Sequence, residues 1–158
     1  MTLNEIVSVI RDVARVNLRL LKVNELRADL LSLNNSLDAA RKTVCGLVER
    51  SEKAIAVARF KTEQLNTADP ELEAKTKTNE ETVNRETERV AEFKADLERE
   101  EAGLGKQIGE VSEEIAKVED GSTKVCKDDL QTESVRLLRA LGKQNAEDGM
   151  TKAVNAEF

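Results

Sequence analysis

Histidine, tryptophan and tyrosine are absent from the 158 residues, and three Phe are the whole aromatic complement. Without His there is no Ser/His or Cys/His nucleophile activation, and the commonest metal ligand is missing too. So little aromatic bulk is unusual for a compact globule of this length, whose core normally holds more of it. One Pro and seven Gly leave little punctuation for a turn-rich β fold. The two cysteines, Cys45 and Cys126, stand far apart with no CxxC or Cys/His spacing, which argues against a structural zinc site and predicts reduced thiols. No run of 18 apolar residues occurs, so a membrane-crossing helix is not expected. Glu5, Arg11, Asp12 and Arg15 break up the N-terminal apolar stretch and spoil a secretory signal, so a cytoplasmic protein is expected.

What the chain does contain is charge and small aliphatics: 35% charged and 39% hydrophobic residues, the composition of long helices and coiled coils. The net charge of −6 is unevenly spread. Residues 1–65 hold eleven basic and eight acidic side chains, residues 66–121 eight and seventeen, and residues 122–158 six of each. A mildly basic segment followed by an acidic one favours their lying side by side.

Periodicity carries the fold. Val9, Val13, Val16, Leu20 and Val23 follow alternating steps of four and three. After one extra three-residue step the alternation resumes from Leu26 through Leu30, Leu33, Leu37, Ala40, Val44 and Leu47. All are apolar, which a helix needs to bury one seam on a partner helix. The seam then shrinks to Ser51, Ala54 and Ala58, small enough for close helix approach. A second stripe, Val7, Ile10, Ala14, Leu18, Leu21 and, further on, Leu31, makes the face around residues 6–31 wider than a two-stranded pair requires and implies a third helix.

Asn66-Thr67-Ala68-Asp69-Pro70 supplies a turn, with Asp69 as N-cap and Pro70 at the first helical position. Beyond it Val83, Val90, Leu97, Leu104, Val111 and Val118 recur every seven residues, joined by Phe93, Ile108 and Ile115, while the seam is polar around Glu100 and Glu101. So short a connector predicts antiparallel neighbours, with residues opposed when their numbers sum to about 135. Gly105 and Gly109 share a face and are expected to allow close helix approach. Gly121 reads as the stop of this helix and Ser122 or Thr123 as the next cap. Val125, Leu130, Leu137, Leu138 and Leu141 then mark a third helix, expected to dock on the spare stripe near residues 10–20.

The expected fold is therefore all-α: an elongated antiparallel coiled-coil helical hairpin with a short third helix packing at its base. One helical domain spans 1–145, with helices at about 3–65, 70–119 and 124–145 and turns at 66–69 and 120–123. Residues 146–158 form a flexible tail in this reading.

Chemistry is sparse. Acid pairs such as Glu80-Glu81 and Glu113-Glu114 point about 100° apart on a helix and make no facing dyad. Neither catalytic residue, cofactor nor metal ligand is assigned, and no small-molecule substrate is expected. The expected function is that of a non-enzymatic structural, scaffold or adaptor-like interaction protein that self-associates or meets another protein. Its interface is assigned to Val7, Ile10, Ala14, Leu18 and Leu21, the basic row Arg11, Arg15 and Arg19, and Leu130, Leu137, Leu138 and Leu141 of the third helix. Two alternatives stand beside it. The acidic second helix suits an inhibitor or regulator, including one of a nucleic-acid enzyme. Residues 1–23 suit an amphipathic membrane anchor, although acidity and missing aromatics disfavour membrane and nucleic acid as partners.

Overall fold

The computed structural model describes residues 2–142. They form three helices and no strand: α1 (Leu3–Glu63), α2 (Leu72–Glu119) and α3 (Lys127–Gly142). The expected tail, 146–158, and the last residues assigned to the third helix lie outside the described residues.

Local chemistry sets the helix ends. Thr2 and Glu5 form a capping box: the Thr2 N–H donates to Glu5 Oε2 at 2.8 Å, and the Glu5 N–H donates to Thr2 Oγ1 at 3.3 Å. After α1, Asn66 Oδ1 accepts the Ala68 N–H at 3.0 Å and shapes the turn. Asp69 caps the next helix as predicted, accepting the Glu71 N–H at 2.8 Å and the Lys75 ammonium at 2.6 Å. The Lys75 hydrogen bond, then the Glu71 N–H, hold the Asp69 carboxyl below the ordinary carboxylate range. Gly121 ends α2 with a φ of +80°, the left-handed conformation that favours glycine. Its N–H donates to the Val118 carbonyl, and the Thr123 N–H reaches the Lys117 carbonyl. Ser122 and Thr123 do not cap α3: the Ser122 N–H is taken by Asp120, and the helix starts at Lys127 with the Cys126 carbonyl accepting its first bond, from Leu130.

α1 and α2 pack along each other as a helical hairpin. Contacts divide the chain into two units, Ser32–Gly109 and the remainder. In the unit Ser32–Gly109, the positions drawn out of solvent are the predicted seam: Leu33, Leu37, Val44 and Leu47 on α1, and Val83, Val90, Phe93, Leu97, Leu104 and Ile108 on α2. Burial there is deepest at Ser51, Ala58 and Glu86. The Glu86 carboxylate is held from its own helix, by Arg89 at 2.9 Å and Arg85 at 3.8 Å. The polar break in the seam is filled by Glu101, which accepts a 2.9 Å hydrogen bond from Arg41 Nε across the hairpin. Gly105 and Gly109 do not mark a close helix approach: a Cβ on either would meet no atom within 4 Å, and both positions are exposed.

The hairpin register lies above the predicted one. The ion pair Arg41–Glu101 sums to 142 and the ion pair Arg27–Glu119 to 146. Every helical side chain leans towards its own N-terminus, so a surface spot is covered by a residue about one position further along. In antiparallel helices both leans raise the sum, and long charged side chains raise it most.

The other unit combines the first part of α1, the end of α2 and all of α3. Val23 and Leu26 are buried with Val118, flanked by Val111 and Ile115. Val7 and Ile10 are buried with Leu138, flanked by Ile6 and Leu137. The third helix thus covers the start of the second stripe of α1, at Val7 and Ile10, while Leu21 stays exposed. Burying Leu138, only 3% exposed, is worth about 1.5–3 kcal/mol. Ala14 and Ser134 are completely buried, and the Ser134 hydroxyl is satisfied by the Leu130 carbonyl at 2.7 Å.

Candidate interaction surface

Two stripes on the start of α1 compete for two covering helices. α3 takes Val7, Ile10 and Ala14, while α2 takes the other stripe only from Val23 onward, because Gly121 stops it there. The seam positions before Val23 therefore have no cover from the described chain. Val9, Val13, Val16 and Leu20 are 51%, 43%, 52% and 56% exposed. They follow one another at steps of four, three and four, and so form one continuous apolar strip on α1.

This placement corrects the interface assigned from sequence. Val7, Ile10, Ala14, Leu130 and Leu138 are buried inside the chain and present nothing to a partner. Leu18 and Leu137 are half-buried, whereas Leu21 and Leu141 are exposed. The physical reason is that α3 saturates the stripe that had been counted as spare. The stripe credited to the hairpin is the one left open. The signal for this was present: with Gly121 ending α2 and the turn at 66–69, the second helix is too short to reach Val9.

The basic row divides as well. Arg15 makes a 3.2 Å ion pair with Asp12 one turn before it, both side chains exposed. Arg11 is half-buried. Arg19 is half-buried, with its guanidinium against Gly121, where an added Cβ would lie 3.3 Å from Nη2. Its Nε is shielded from solvent without a hydrogen-bond partner.

Glu133 fastens α3 to α1. It accepts hydrogen bonds from Arg136 at 2.6 and 2.9 Å and from Asn17 of α1 at 3.3 Å. The Arg136 bonds come first among the causes that lower its pKa, outweighing a burial that alone would raise it, and Asn17 lowers it further. That is an anchoring role, with no reactive group beside it.

Two of the surface hollows border exposed apolar side chains, Leu21 in one and Phe60 in the other. One, of about 390 Å³, is lined by Leu18, Arg19, Leu21, Lys22, Val118 and Cys126. The other, of about 510 Å³, lies beside the hairpin turn against Phe60, Leu65, Ala74 and Thr78. Among the described residues no group of three or more Cys, Asp or Glu is placed to hold a metal ion, and no helix is long and apolar enough to cross a membrane. Cys45 and Cys126 are both exposed free thiols. Comparison with protein-family models, with curated proteins and with solved structures found no match.

Proposed function

We propose that the chain is a non-enzymatic scaffold or adaptor-like interaction protein that works by helix-to-helix contact and self-associates. A single observation carries this reading: the strip Val9, Val13, Val16 and Leu20, half-exposed and continuous along α1 beside the covered residues Val7, Ile10, Val23 and Leu26. Isolated exposed apolar residues are ordinary, but an ordered strip at seam spacing favours an absent helix. The seven-residue repeat of α2 supports coiled-coil packing within the hairpin. The same reading takes residues 1–145 as one helical domain of a cytoplasmic protein.

Light scattering over a concentration series tests it. The mass should rise with concentration, and Val13→Asp with Val16→Asp should hold it at the monomer value without loss of helix by circular dichroism. A monomer at every concentration that instead co-sediments with anionic vesicles would replace this reading with the membrane one.

A further inference from the structure

Resting on the self-association proposed above, we infer that the occupant of the Val9–Leu20 strip is the same strip of a second copy, laid antiparallel about a two-fold axis. The spacing four, three, four reads the same in both directions. Antiparallel pairing therefore sets Val9 against Leu20 of the second copy, and Val13 against Val16 of the second copy, with every layer apolar on both sides. With this spacing the same patch serves on both subunits, as a two-fold contact requires.

Charge on the rim selects the same arrangement. Asp12 and Arg19 stand seven residues apart on one flank of the strip. In an antiparallel pair like flanks meet, so Asp12 faces Arg19 of the second copy and the converse holds by symmetry. In a parallel, in-register pair this flank would meet the opposite one, where Asn17 and Asn24 stand and no charge pairs form. Each of the two charged groups has capacity for such a partner. Arg19 makes no ion pair among the described residues, and Asp12 is engaged only by the exposed Arg15. The patch is short: a standard interface covers about 800 Å² per partner, and four aliphatic side chains supply less. The expected dimer is accordingly weak, with a dissociation constant on the order of micromolar or above.

Cysteine pairing distinguishes the geometry from the association itself. In a background carrying Cys45→Ser and Cys126→Ser, the variants Val13→Cys and Val16→Cys are oxidised separately and mixed, at about 100 μM so that a weak dimer is populated. The mixture should give a disulfide between positions 13 and 16. Each variant alone should give little, because like positions then lie more than about 7 Å apart. Asp12→Arg and Arg19→Glu should each weaken association about tenfold, and the double variant should recover most of the loss. Disulfides within each variant alone, or a dimer by mass with no mixed disulfide, would overturn the antiparallel pairing and leave self-association standing. Single losses with no recovery in the double variant would overturn the flank pairing. A chain that is monomeric by mass and forms no disulfide would overturn both.

Discussion

Individual residues show how differently one amino-acid type can behave. Gly105 sits inside α2 with open space where a Cβ would go, so it gives the helix only a conformational cost. Replacing it with Ala should stabilise the fold by about 0.5–1 kcal/mol. Gly121 has a φ of +80° and a guanidinium beside it. Gly121→Ala should destabilise by about 1–3 kcal/mol, chiefly through the backbone, since the Arg19 side chain can shift. Urea denaturation of both variants checks the opposite signs. Sequence showed that each glycine interrupts or ends a helix. It could not show which way the glycines at 105 and 109 face, because that depends on the final register.

For the elements, attachment of α3 is the informative case. Glu133 has a carboxyl held below its ordinary value of 4.5 in the folded chain. A depressed folded pKa contributes stability that is fully present above the unfolded value and is lost as pH falls through the folded one. Stability should therefore begin to drop as pH goes below about 4.5, and the contribution should be gone once pH is under the depressed value. Asp69 and Asp120 are lowered too, so the unsubstituted chain combines all three. Thermal denaturation of Glu133→Gln across that window isolates the α3 share: its curve should be flatter than that of the parent chain. The existence of α3 was legible from Val125, Leu130, Leu137, Leu138 and Leu141. Its anchoring through Asn17 was not, because a polar pair more than one hundred residues apart leaves no periodic trace.

Across the molecule as a whole, the two thiols offer a direct chemical probe of the fold. Both Cys45 and Cys126 are exposed and unpaired. The folded chain should titrate two thiols per molecule with an aromatic disulfide reagent, without denaturant and at one rapid rate each. A buried or disulfide-bonded pair would instead need unfolding or reduction before reacting. The same exposure makes the Ser background above a mild change, since neither side chain is packed into a core.

The sequence by itself determined the helices and their punctuation: hydrophobic steps of three and four, Asp69-Pro70 at one end and Gly121 at the other act through neighbours a few residues away. The capping box at Thr2 and Glu5, found only in the structure, is local in the same way. Tertiary structure alone decided which of the two stripes on α1 stays open. That choice depends on where α2 runs out against α1 and on the face that α3 selects, and both are settled by packing between segments distant in the chain. Local periodicity marks a surface as apolar; only the competition among covering helices leaves one of them bare.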